Sequence, residues 1–423
     1  MRVLWIVNTI FNYPAKKMKL KPTVFGGWLN SLFNNLKNRK EIEKLAIATV
    51  YNGRELKKFE DGNVVYYLLP VNNINKYDKK LETMWYKVTK EFFPDVVHIH
   101  GTEYPHVSAF LNCNLNVKTC TSIQGLVSVC GVKDTYNAGI NAKDMLKSIT
   151  IRDILKKDLL FFQYRNFIKK GFFEKSTLQK TNIIIGRTSW DKAYAYKITK
   201  ENKYELCNES LREVFYTNNW DINNINRHTI FVSQATYPIK GFHKVIEMLN
   251  IIKDEYPDIL IYVAGPNIIK NDSIKEKLKM NGYSKYINKL VKKYKLQNNI
   301  KFVGLLNEQD MCNYLLKSHV FLQASSIENS PNSLGEAMLL GMPVVASYVG
   351  GTADMLLDKQ EGLLYPFGDC AMMAKYIKDI FNDDKYALKL GKNAQMHARI
   401  THNIITNVNK TIEIYNKLQK EEE

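Results

Sequence analysis

A chain of 423 residues, 45% hydrophobic and 24% charged, has the composition of a folded protein and is long enough for two cores, which excludes disorder. The net charge of +18 invites a nucleic-acid partner, but the basic excess runs along the whole chain and no nucleic-acid-binding motif accompanies it, so none is expected. The six cysteines are scattered without a Cys-x-x-Cys pair, and no apolar run is long enough to span a bilayer, which points to a cytoplasmic protein.

In chain order, Val3 to Val7 reads as a buried strand, too short for a signal peptide. After a long loop come Gly26 and Gly27, just ahead of the helical pattern WLNSLFNNLKN. The pair lacks the third glycine of a dinucleotide fingerprint, so it is either a turn or a backbone that lets a ligand come close. LAIATV (45–50), DVVHIH (95–100), VKTCTSIQG and NIIIG (182–186) are further strands separated by helical patterns. A polar stretch, 217–228, reads as a linker. The alternation then restarts with HTIFVSQ, ILIYVAG, NIKFVG, HVFLQAS and MPVVASYVG, with helical patterns such as HKVIEMLNIIK following. Two runs of strand-helix alternation predict an α/β protein of two doubly wound, Rossmann-like domains, with ligands beyond the carboxyl ends of the strands.

The densest chemistry lies in 319–355, HVFLQASSIENSPNSLGEAMLLGMPVVASYVGGTADML. A strand should end near Ser325, a loop carries Glu328, Pro331 and Asn332, a helix opens about Ser333, and Gly341 closes it. A helix N-terminus offers unpaired N–H groups and a partial positive charge, which suit a diphosphate. Glu328 and Glu336 can accept hydrogen bonds from sugar hydroxyls.

This run, SS-x-E before the loop and G-x-PVVAS-x-x-GG after it, resembles the retaining glycosyltransferases of the GT-B fold, the large group that includes sucrose, mannosyl and capsular-polysaccharide transferases. The likeness is close over 228–400 and looser before it. It implies two domains facing a central cleft: an acceptor domain 1–216, a linker 217–228, a nucleotide-sugar domain 229–400 and a C-terminal helix within 401–423 that returns toward the first domain. It implies that Glu328 contacts the transferred sugar, that Glu336 binds the ribose, and that the backbone around Asn332, Ser333 and Leu334 faces the sugar and phosphates. The residues by themselves leave Glu336 open, because Ser333-Leu-Gly-Glu336 also spells a capping box.

In TIFVSQATYPIKGFHKVIEML (229–249), Lys240 resembles the family lysine that neutralises the donor diphosphate, and Gly241 lets the backbone approach. The family arginine five residues earlier is Ala235 here, and Arg187 is the candidate replacement. In DVVHIHGTEYPH, His100 matches the family histidine that faces the cleft, although a strand-end histidine is also an ordinary core residue; His98 is the less favoured of the two. Gln124-Gly125 stands where the family often has His-Gly.

The implied activity is metal-independent, retaining transfer of a hexose-type sugar from a nucleotide diphosphate sugar, UDP- ahead of GDP-, to a saccharide or lipid-linked saccharide in cell-surface polysaccharide synthesis. No cofactor is expected. No Asp-x-Asp triplet occurs, and no metal site is expected. A non-catalytic scaffold or a nucleotide-sugar epimerase of the same fold are the alternatives. Residues 141–181 hold ten basic against four acidic residues, with Ile151, Leu155, Leu159 and Phe162 at helical spacing. This is either a core-packing helix with a solvated basic face or a site of peripheral attachment to an anionic membrane.

Overall fold

The computed structural model describes residues 1–20, 27–269 and 273–420. Long Val/Ile-rich runs form strands buried on both faces, the mark of parallel sheets covered by helices. The first sheet has eight strands: β1 (Arg2–Ile6), β2 (Lys44–Asn52), β3 (Lys57–Asp61), β4 (Val64–Val71), β5 (Val96–His100), β6 (Lys118–Ser122), β7 (Ile183–Gly186) and β8 (Tyr204–Leu206). Their spatial order is β3-β4-β2-β1-β5-β6-β7-β8, and every pairing is parallel except the β3–β4 hairpin. The β3 sequence KKFED puts charge on the sheet edge, which discourages edge-to-edge association.

The second sheet has six parallel strands: β9 (Thr229–Val232), β10 (Leu260–Ala264), β11 (Ile300–Gly304), β12 (Val320–Gln323), β13 (Val344–Ser347) and β14 (Leu363–Tyr365). They lie in the order β11-β10-β9-β12-β13-β14. Each sheet therefore reverses direction once, between β1 and β5 in the first and between β9 and β12 in the second. These switch points are where such sheets open a crevice for ligands.

The chain divides into two compact units: 1–129 with 168–211 and 402–423, and 130–167 with 212–401. Two of the expected boundaries need correction. Residues 130–167 fall outside the expected first domain because their apolar side chains join the second core: Ile140, Met145 and Leu160 pack with Phe242, Val245 and Ile287. His243 also bonds the Ala138 carbonyl through Nε2 at 2.7 Å. Residues 217–228 are not a free linker. Trp220 is 7% exposed, its backbone N–H donates to the Leu340 carbonyl and its indole N–H to that of Ser318, so the crossing comes earlier, at residues 211/212. The helix Ile404–Lys420 lies in the first unit, where Tyr415 bonds the indole of Trp5 and Nδ1 of His98.

The helix expected through residues 151–162 is also interrupted. Lys157 adopts a left-handed conformation (φ 54°) that ends the helix Ile151–Lys156, and a separate helix runs from Tyr164 to Lys180.

Candidate functional site

The second unit gathers its polar residues at the β9/β12 switch point. The chain leaves β9 through Ser233 and tightens into one helical turn at Pro238–Lys240 before the helix Phe242–Ile252 begins. Gly241 makes that turn possible. Its φ is +68°, and a Cβ there would stand 1.7 Å from the Ala324 carbonyl oxygen, at the end of β12, so no larger residue fits. The close approach brings the two loops together: the Ser326 N–H donates to the Ile239 carbonyl at 2.8 Å, and Lys240 Nζ donates to Glu328 Oε1 at 2.5 Å.

Glu328 is held from three sides. Lys240 meets one oxygen, which also accepts from Ser325 Oγ at 2.6 Å. The Gly350-Gly351 loop closes over its backbone: the Gly351 N–H donates to the Glu328 carbonyl at 3.1 Å, and a Cβ on Gly350 (φ +52°) would lie 1.9 Å from that same oxygen. Burial alone would lower the Lys240 pKa, but the Glu328 carboxylate outweighs it and holds the ammonium above its ordinary value. The pair keeps some access to solvent, with side chains 21% and 14% exposed.

The helix Asn332–Leu340 starts just beyond. Its N-cap is Pro331, which supplies no side-chain acceptor, and Gly341 (φ 78°) closes it. The capping-box reading of Ser333 and Glu336 is therefore overturned. Ser333 lies inside the first turn and its hydroxyl donates to Ser233 Oγ at 3.1 Å, tying the helix start to the end of β9. Asn332, Ser333 and Leu334 are the first three helical residues; the Leu334 N–H donates to the Pro331 carbonyl at 3.0 Å, and Asn332 and Ser333 stand where a helix start leaves backbone N–H groups for an anion.

Glu336, one turn in, is buried and meets Arg212 in a two-point fork, Nε to Oε1 at 2.7 Å and Nη2 to Oε2 at 2.6 Å. Burial raises the Glu336 pKa and the guanidinium opposes that rise. Arg212 also lies over the Phe215 ring, 4.9 Å from its centroid. Nothing in residue spacing links 212 to 336. The one available signal was an arginine set among apolar Leu211, Val214 and Phe215.

The remaining expected residues lie in the first unit. His100 ends β5 at that sheet's switch point, 2% exposed, with ring centroids of His98 at 3.8 Å, Trp5 at 4.6 Å and Trp28 at 5.7 Å. Neither of its ring nitrogens has a hydrogen-bond partner among the described residues. Burial, and then the neighbouring His98, push its pKa well down, so it is neutral. His98 is a satisfied core residue, bonded to Tyr415 and to Ser122 Oγ, both at 2.7 Å. Arg187 lies in the first unit, where its guanidinium meets Glu209 at 2.7 Å and the carbonyls of Ile123 and Gln124. Ala235 is fully buried in the second core. Gly27 opens the helix Gly27–Leu36, and Gly26 lies outside the described residues. Among the described residues no group of three or more His, Cys, Asp or Glu side chains could hold a metal ion, and no helix is long and apolar enough to cross a membrane.

Known proteins resemble both the site and the fold. The family model described as glycosyl transferases group 1 matches residues 217–397. A putative glycosyltransferase of Bacillus subtilis, YtcC, is 29% identical over 175 residues, 41% of each chain. The capsular polysaccharide biosynthesis glycosyltransferase CapM of Staphylococcus aureus is 24% identical over 193 residues, 46% of each. The match thus spans less than half the length of these curated relatives. Among solved structures, sucrose-phosphate synthase from Thermosynechococcus elongatus superposes with a TM-score of 0.71 over 99% of both chains at 16% identity. Anabaena HepE in complex with UDP and glucose does so with a TM-score of 0.66, over 98% of this chain and 99% of its own, at 14% identity. The likeness to these GT-B proteins establishes the two-domain fold.

Proposed function

We propose, from the match of residues 217–397 to the glycosyl transferases group 1 model and from the GT-B fold, that the chain is a retaining, metal-independent glycosyltransferase. It would move a hexose-type sugar from a nucleotide diphosphate sugar, UDP- ahead of GDP-, to a saccharide or lipid-linked saccharide. The observation that carries the reading is the Lys240–Glu328 pair at the β9/β12 switch point, beside a helix start without a side-chain cap.

An anionic diphosphate entering there competes with Glu328 for Lys240, so the lysine can turn to the leaving group as charge builds on it, together with the N–H groups of Asn332 and Ser333. Glu328, relieved of its cation, can accept hydrogen bonds from hydroxyls of the transferred sugar. Glu336 would take the ribose hydroxyls on lone pairs that Arg212 leaves free. The sugar–phosphate bond breaks while the acceptor oxygen bonds the anomeric carbon from the same face, and the departing phosphate oxygen takes the acceptor proton. No separate general base is needed, which suits a His100 held neutral by burial and able to serve only through neutral hydrogen bonds.

Polysaccharide synthesis is the setting favoured by the likeness to CapM, and HepE, crystallised with UDP, favours a uridine donor. A lipid-linked acceptor would place the working enzyme on the cytoplasmic face of an anionic membrane. Incubation with UDP- and GDP-sugars and a saccharide acceptor tests the reading, with NMR of the product anomer. We expect nucleoside diphosphate release that depends on acceptor, survives chelator, and retains the anomeric configuration. Sugar interconversion without release would identify an epimerase. Binding without either reaction would identify a scaffold.

A further inference from the structure

The helix Ile151–Lys156 is amphipathic the wrong way round. In a helix resting on a core the apolar stripe faces in and the charges face out. Here Asp153 is 0% exposed, while Ile151, Ile154 and Leu155 are 69%, 60% and 79% exposed. The inward side is anchored firmly. Arg152 Nη1 pairs with Asp153 at 3.0 Å and with Asp158 at 3.2 Å, and Lys285 donates to the Ile149 carbonyl at 2.8 Å. A Cβ on Gly282 would meet Asp153 Oδ2 at 3.0 Å, so the segment sits directly on the following helix, Gly282–Tyr294.

The outward side therefore cannot be an accident of loose packing. Leu146 (58%) and Phe162 (43%) are further exposed apolar side chains at the two ends of the segment. An apolar cavity of about 270 Å³ opens beside it between Met145, Ile149, Leu159 and Phe162. A contiguous exposed apolar patch on a folded protein marks a surface that something else covers.

Charge identifies the cover. Lys143, Lys147, Lys156 and Lys157 are all exposed in the same segment, and none of the four is in a salt bridge among the described residues. The acids that could offset them are engaged: Asp153 and Asp158 by Arg152, and Asp144 by Lys289 at 3.6 Å. Aliphatic side chains flanked by uncompensated lysines match the boundary of an anionic bilayer, where the chains enter the acyl region and the ammonium groups stay among the phosphates.

We propose that residues 146–162 are a membrane-docking ridge for anionic lipid, and that it belongs to the unit carrying Lys240 and Glu328. Eleven residues before the ridge the chain touches that site: the Ser326 hydroxyl, beside Ser325 and two residues before Glu328, donates to the Thr135 carbonyl at 2.6 Å. The donor-binding unit is thus the one fastened to the lipid surface. The purpose of docking rests on the transferase reading, whereas the docking itself does not.

The test is flotation of the full chain with vesicles of phosphatidylcholine alone and of phosphatidylcholine with phosphatidylglycerol. Size-exclusion mass and turnover on a water-soluble acceptor are measured alongside. We expect recovery with anionic vesicles only, weakened by salt. It should fall by about tenfold or more in I151S/I154S/L155S and in K147E/K156E, each of which still turns over the soluble acceptor. Equal recovery with both vesicles, no flotation of the native chain, or native flotation by the triple serine variant overturns the proposal. A native dimer that I151S/I154S/L155S converts to monomer also overturns it, because the ridge would then cover a second copy. Absence of turnover in every variant, with flotation as described, strikes the transferase reading and leaves the ridge standing.

Discussion

Two carboxylate–cation pairs whose acids sit eight residues apart in the second unit are built in different ways. Glu328 meets a lysine through a single oxygen in a partly solvated loop, and its partners approach from three different segments. Glu336 meets an arginine through both oxygens inside a helix, with its side chain only 4% exposed. An ammonium on a flexible stem exchanges partners readily, whereas a planar guanidinium in a two-point fork fixes geometry. One pair leaves its cation free to exchange partners, and the other fixes a buried carboxylate in place.

The comparison is sharpened most by removing Arg212. Arg212→Met leaves Glu336 buried without its cation, and we expect a loss of about 3–5 kcal/mol of stability in denaturant melts. The double variant R212M/E336M should recover most of that loss, because two apolar side chains replace a desolvated pair. If the single variant melted like the native protein, the fork would not be a structural fixture.

Lys240→Ala should behave in the reverse manner. Glu328 keeps the Ser325 hydroxyl and some solvent, so the melt should fall by less than in Arg212→Met, while turnover should fall by about a hundredfold to a thousandfold if Lys240 stabilises the leaving group. Unchanged initial rates would remove Lys240 from the reaction.

The smallest expected effect decides what Glu336 does besides holding Arg212. In the folded R212M/E336M background, nucleotide affinity measured by calorimetry should weaken by about 1.5–3 kcal/mol if the carboxylate also receives the ribose. Native affinity would leave it with Arg212 alone. Glu328→Gln should spare bare nucleoside diphosphate and depress turnover.

How these pairs arise also shows what could be read ahead of the structure. The strands β1, β5, β9, β12 and β13 were legible because each is a short apolar run bounded by polar residues, and the Glu328 loop was legible because its residues are neighbours in sequence. The β3 strand was not, since KKFED carries no alternation and is held only by pairing with β4. Assignment of residues 130–167 to the second unit was not legible either. Helical spacing tells which face of a segment is apolar and nothing about which of two cores, if any, receives it. For Ile151, Ile154 and Leu155 the answer was neither. Arg212 escaped because its partner lies 124 residues away and the contact is a property of packing alone.

The route of the chain has a consequence for biosynthesis. The first unit draws on three stretches of sequence, and its last piece, the helix Ile404–Lys420, brings Tyr415 to Trp5 across 410 residues. Residues emerge from the ribosome in order, so all of the second unit, through Thr401, is available before that helix is made. The first unit therefore lacks the packing of that helix on β5 and β6 until after the residues of the second unit have been made. Nascent chains should therefore gain protease resistance in the later half first.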